Sequence, residues 1–141
     1  MARTKLILGI AAAVMLAALA GWGWGAWSHS GTGQALQTAE LRGELLAARA
    51  ALLDARVAIY NVNFGEASSH LENARGLLRR AHERLERLGR VEDVAQIETA
   101  LTTIDDAQRM AGKLDQSANT RAGDAAKILA DLLDMGHAPD R

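Results

Sequence analysis

Leu41-Arg42-Gly43-Glu44-Leu45-Leu46-Ala47-Ala48-Arg49-Ala50-Ala51-Leu52-Leu53-Asp54-Ala55-Arg56-Val57-Ala58-Ile59 is the stretch that decides the fold. Leu41, Leu45, Ala48, Leu52, Ala55 and Ile59 recur at alternating steps of four and three, which sets them on one face of an α-helix. Leu46, Leu53 and Val57 are read as widening that face to a full apolar stripe turned toward a core. The spacing predicts a first helix from Ala35 to Asn61. A second seam, Ala67, Leu71, Ala74, Leu78, Ala81, Leu85 and Leu88, follows at once and stops at Gly89, a residue suited to ending a helix.

A third seam starts near Val91 with Val94, Ile97, Leu101 and Ile104. It continues through Ala107, Ala111, Leu114, Ala118, Ala125, Ile128, Leu132 and Met135. Read without interruption it is one long helix. Ser117-Ala118-Asn119-Thr120 offers side chains that cap a new helix, and Arg121 falls on the apolar seam, so a break is expected there if anywhere. The expected fold is all-α: a three-helix antiparallel bundle, or four helices if the last one breaks. With one proline and one phenylalanine in 141 residues, composition agrees with helices throughout.

The joint between the first two helices is the best-defined local signal. Asn63 is placed to accept from the backbone of the next turn, and Glu66, three residues on, to reach back to the Asn63 amide, a capping box. Phe64-Gly65-Glu66-Ala67-Ser68-Ser69-His70-Leu71-Glu72-Asn73-Ala74 also resembles the second helix of a tetratricopeptide repeat, in its aromatic, Ala, large apolar and Ala positions. The resemblance implies one TPR-like helical hairpin. It implies no peptide groove, because the pattern does not recur about 34 residues later, near Leu101, and a solenoid needs several stacked units.

Upstream, an uncharged and almost wholly apolar run extends from Leu6 to Trp27 behind Arg3 and Lys5. As a helix it is roughly 33 Å long at 1.5 Å per residue, enough for a hydrocarbon core of about 30 Å. Trp22, Trp24 and Trp27 are the residue type that settles at headgroup depth. Residues 1–27 are therefore expected to form a single transmembrane anchor, 28–34 a linker, 35–136 the helical domain and 137–141 a frayed tail. Arg3 and Lys5 precede the run and no Lys or Arg follows until Arg42, which predicts a cytoplasmic N-terminus and a periplasmic domain at a bacterial-type inner membrane. Gly9, Ala13, Ala17, Gly21 and Gly25 recur every four residues, a small-residue ridge along which another transmembrane helix can approach closely. The rival reading is a signal peptide cleaved after Ala20, releasing a periplasmic binding or chaperone-like module.

The remaining residues point away from chemistry. The chain has no cysteine, hence no disulfide, thiolate metal site or lipid-bearing cysteine. A net charge of −1 is too balanced for a nucleic-acid partner. Glu66 and His70 share a helix face but lack the Glu-x-x-His spacing of di-iron bundles, and His82-Glu83 lacks the second histidine of a zinc-protease helix. His29 and His137 fall in the linker and tail. No enzyme activity, cofactor, metal or small-molecule substrate is expected; the partners expected are the membrane and other transmembrane subunits of a complex. Arg75, Arg79, Arg80, Arg84, Arg87 and Arg90 make the second helix basic, while Glu92, Asp93, Glu98, Asp105, Asp106 and Asp115 make the next segment acidic. The first reading is a solvated face with pairs such as Glu83 to Arg87 and Glu86 to Arg90. The other is docking of the arginines on an acidic partner or anionic headgroups.

Overall fold

A computed structural model describes residues 33–135, all helices and short turns. The anchor expected at 1–27 and the tail expected at 137–141 lie outside the described residues, as do Gly9, Ala13, Ala17, Gly21, Gly25, Trp22, Trp24 and Trp27. No described helix is long and apolar enough to cross a membrane. The chain divides into two units, Met1–Ala39 and Glu40–Arg141. In the first, residues 33–39 are helical with every side chain exposed, and Thr38 Oγ1 donates to the Gln34 carbonyl at 2.9 Å. The second is a four-helix bundle: α1, helical over 40–60, then α2 (Phe64–Arg87), α3 (Val91–Gly112) and α4 (Ala118–Met135).

Polar contacts on the rims define the order of the helices. Between α2 and α3 the pairs are Glu72 with Gln108, Arg75 with Asp105 and His82 with Glu98, so numbers rise on one helix as they fall on the other. Arg80 and Arg84 near the end of α2 reach Glu44 and Glu40 near the start of the bundle part of α1. The ring closes between α1 and α4. Arg56 Nε donates to Asn119 Oδ1 at 3.1 Å, and Asn119 Nδ2 donates to the Arg56 carbonyl at 2.9 Å. Gly123, one turn further along α4, leaves room for the Arg56 side chain: a Cβ there would stand 3.3 Å from its guanidinium carbon, a tight contact. An up-down-up-down ring of this kind differs from a solenoid, in which each helical pair stacks only on its sequence neighbours.

Every buried residue among those described is apolar, and alanine is the commonest. On α2 the buried face alternates Ala67, Leu71, Ala74, Leu78, Ala81 and Leu85; α3 contributes Ile97, Ala100, Ile104, Ala107 and Ala111. Small residues beside large ones let the helices approach closely while leucine and isoleucine fill the space left over. The seam Leu41, Leu45, Ala48, Leu52, Ala55 and Ile59 is buried as its period predicts. Leu46, Leu53 and Val57 do not widen it. They stand on the opposite face, 46%, 40% and 60% exposed.

All three connections use one device. At the end of α1, Val62 N–H donates to the Ile59 carbonyl and Asn63 N–H to the Ala58 carbonyl; after α2, Gly89 and Arg90 repeat this with Glu86 and Leu85; after α3, Leu114 and Asp115 do so with Ala111 and Met110. This is the Schellman pattern, which needs one left-handed residue at each turn. Val62 (φ 59°), Gly89 (φ 68°) and Leu114 (φ 58°) supply it. Only Gly89 does so without a Cβ penalty, and a β-branched residue such as Val62 is the least suited. Val62→Gly and Leu114→Gly are therefore expected to stabilise the fold, each by up to about 1 kcal/mol, after allowing for the extra freedom glycine has in the unfolded chain. Urea midpoints read by helical circular dichroism check this, and a loss of stability would show that these side chains are held by contacts.

The turn after α3 settles the number of helices. Continuity through Leu114 would have carried Leu114 and Arg121 on the core seam. The left-handed turn at Leu114 resets the phase, so Leu114 is 70% exposed and Arg121 turns outward, within 3.5 Å of Asp124. The side chain that organises the new start is that of Asp115 rather than of Ser117–Thr120: its Oδ1 accepts the Ser117 N–H at 2.9 Å. That hydrogen bond, ahead of the nearby charge of Lys113, holds the Asp115 carboxyl below the usual carboxylate range. A depressed folded-state pKa contributes stability that is present above the ordinary carboxylate range and is lost as the pH falls through the depressed value. Asp115→Asn should remove that share of the acid sensitivity while keeping an acceptor in place. Thermal midpoints of both proteins measured from neutral to strongly acidic pH test it, and parallel curves would refute it.

Candidate functional site

The outer face of α1 is the feature that packing leaves unexplained. Gly43, Leu46, Ala50, Leu53, Val57 and Tyr60 are all exposed and step by three and four without a fault, and Tyr60 is 82% exposed. The buried residues of α1 lie on the opposite side of the same helix, so α1 carries two apolar seams and the bundle uses one. A groove lies on each side of Val57. One is lined by Asp54, Val57, Ala58, Asn61, Glu66 and His70, the other by Leu53, Arg56, Val57, Tyr60 and Asn119. Monomeric proteins seldom leave a continuous apolar strip uncovered, whereas single exposed leucines are ordinary.

The hairpin cap at the foot of this face departs from the expected capping box in one bond. Asn63 Oδ1 accepts the Glu66 N–H at 3.3 Å, as expected. The Asn63 amide is already committed to Ala58, so the Glu66 carboxylate takes the Asn63 side-chain NH₂ instead, at 2.7 Å. His70 sits 3.7 Å from the same carboxylate. The cap thus links the end of α1 to the first two turns of α2.

The six arginines of the basic segment do not act as one row. Arg84 grips α1, its Nη2 and Nε on the two Glu44 oxygens at 3.2 and 3.4 Å and its Nη1 on Glu40 at 2.7 Å. Hydrogen bonding to Glu44 raises the Arg84 pKa further above its ordinary value, so the cation is permanent. Arg80 adds a 3.7 Å contact to Glu44, Arg75 joins Asp105 of α3 at 3.2 Å, and Arg90 pairs with Asp93. Arg79 and Arg87 alone point outward without an ion pair among the described residues. The expected pairs Glu83 to Arg87 and Glu86 to Arg90 do not form. Glu86 faces His82 at 3.6 Å, and His82 also meets Glu98 at 3.3 Å. The charges therefore tie neighbouring helices together across the α1–α2 and α2–α3 rims, each exposed pair contributing little by itself.

Among the described residues no group of three or more His, Asp or Glu side chains is placed to hold a metal ion. No protein-family model matches this chain, nor does any curated protein or solved structure. Its site must be read from its own residues. Sequence reasoning overlooked the second seam of α1 because Leu46, Leu53 and Val57 were assigned to the core. The signal that marks it is the unbroken alternation from Gly43 to Tyr60, which stays in step only if read separately from the Leu41–Ile59 seam.

Proposed function

We propose that this protein is a non-catalytic, membrane-anchored accessory or assembly subunit. Its Leu6–Trp27 segment spans a bacterial-type inner membrane, and its helical domain meets neighbouring subunits on the periplasmic side. The observation that carries the reading is the two-faced α1: a helix whose inner seam builds the bundle and whose outer seam is left uncovered. The rim ion pairs that tie α1 to α2 and α2 to α3 fit a scaffold. The small-residue ridge from Gly9 to Gly25 supports packing of the anchor against partner helices. Of the basic segment on α2, Arg79 and Arg87 are the two arginines left for an acidic neighbour or anionic headgroups.

Purification from native membranes in mild detergents, with mass spectrometry of the intact chain and its companions, tests this. The expected result is a chain that retains residues 1–20 and carries other membrane proteins, with at least one companion lost from a Leu53→Glu/Val57→Glu variant. A mature form beginning at Gly21, or a lone chain in every detergent, would replace it with the released periplasmic module.

A further inference from the structure

We infer that the outer face of α1 is a self-association seam, through which two copies of this chain pair side by side with their α1 helices parallel. The inference rests on reading that face as a contact surface and adds the identity and orientation of what covers it.

An apolar seam with a strict period of 3.5 residues is matched by another helix of the same period, and the seam of a second copy has it by construction. Gly43, Ala50 and Val57 occupy the first core position of each heptad and Leu46, Leu53 and Tyr60 the second. In the last of these heptads Val57 supplies the β-branched residue that, with leucines such as Leu46 and Leu53 at the second position, favours two strands, while Gly43 and Ala50 permit close approach of the backbones.

Charge decides the orientation. One edge of the seam carries Arg42, Arg49 and Arg56, and the other carries Asp54, with Glu40 two heptads before it. Antiparallel pairing would set the arginine edge of one copy against the arginine edge of the other. Parallel pairing sets it against the acidic edge, each residue meeting the one five positions further along the second copy. Arg49 then meets Asp54 of the second copy. These are the two charged residues flanking the seam that find no partner within the bundle: Asp54 makes no ion pair among the described residues, and Arg49 Nε is buried with no hydrogen bond. Glu40 is already taken by Arg84 and Arg56 by Asn119. Arg49 has no carboxylate partner within the bundle, and one arriving across the seam would give its guanidinium a charge-assisted pair.

The chain contains no cysteine, so single cysteines report on the interface without background. Full-length Leu46→Cys, Leu53→Cys and Tyr60→Cys proteins, purified in mild detergent and oxidised, should each form disulfide-linked dimers with themselves. Their yield should exceed by at least tenfold that of Thr102→Cys, an exposed position on α3. Adding Val57→Glu to Leu46→Cys should abolish most of the cross-link with helical circular dichroism unchanged, because Val57 is 60% exposed and lies outside the core. Arg49→Glu should lower the yield and Arg49→Glu/Asp54→Arg should restore it. Yields no better than Thr102→Cys would overturn the proposal. So would cross-linking that appears only when Leu46→Cys and Tyr60→Cys proteins are mixed, which signals antiparallel pairing, or cross-linking that survives Val57→Glu, which signals association through the anchor alone. Failure here, with a companion protein still lost from Leu53→Glu/Val57→Glu in native membranes, would leave the accessory-subunit reading intact and assign the face to a different protein.

Discussion

Leu78→Ala should cost about 2–5 kcal/mol of folding stability, the range for deleting a leucine from a closed core. Leu78 has no exposed surface and sits midway along α2, between Ala74 and Ala81. Truncation there removes buried methyl groups and opens a cavity that flanking alanines are too small to fill. For a domain of about 100 residues, whose whole stability is on the order of 5–15 kcal/mol, this is a large share. Denaturant unfolding of the full chain followed by circular dichroism measures it. Leu77→Ala, next in sequence and only partly buried against the core, is the internal comparison. Equal losses at 77 and 78 would mean that α2 is rotated from the position described.

The opposite change should also be damaging. Ala74 has no exposed surface and lies between Leu71 and Leu78 on the face of α2 that meets the core, so leucine there has nowhere to go without parting the helices. Ala74→Leu is expected to lose about 1–3 kcal/mol by overpacking. Helix propensity does not account for such a loss, since alanine and leucine differ little in that respect. Ala47→Leu, on an exposed stretch of α1, supplies the control and should be close to neutral in unfolding experiments. If Ala74→Leu proved stabilising, the small-beside-large packing of this core would be wrong in its spacing.

The two experiments also explain why the site was harder to read than the fold. Ala67, Ala74 and Ala81 announce close packing through their seven-residue recurrence, and the burial of Leu71, Leu78 and Leu85 between them follows from the same period. No comparable cue sorts the basic residues. Arg84 and Arg87 are three apart on one helix, yet Arg84 closes on Glu40 and Glu44 of α1 while Arg87 faces solvent. Which of them stays free of the bundle depends on where α1 comes to lie. The same holds for Glu66, whose expected bond to the Asn63 amide was pre-empted by the turn that ends α1.

Local pattern was enough to determine that this chain is helical from the mid-thirties onward, that helices end at Asn61 and Gly89 to within two residues, and that the Leu41–Ile59 seam and the second seam up to Leu85 face inward, while Leu88, read as the last member of that seam, is 39% exposed at the turn. Those properties depend on side-chain period and on the preferences of single residues, which act over one or two turns. Tertiary structure alone decided that the chain turns at Leu114, since leucine has no preference for the left-handed backbone it adopts there, and packing of α4 against α1 and α3 has to hold it. It also decided that the face of α1 carrying Leu46, Leu53 and Val57 would stay outside the bundle instead of widening the buried seam. That face is as apolar as the buried seam and keeps the same helical time, so only the places taken by α2 and α4 show that the core stops short of it.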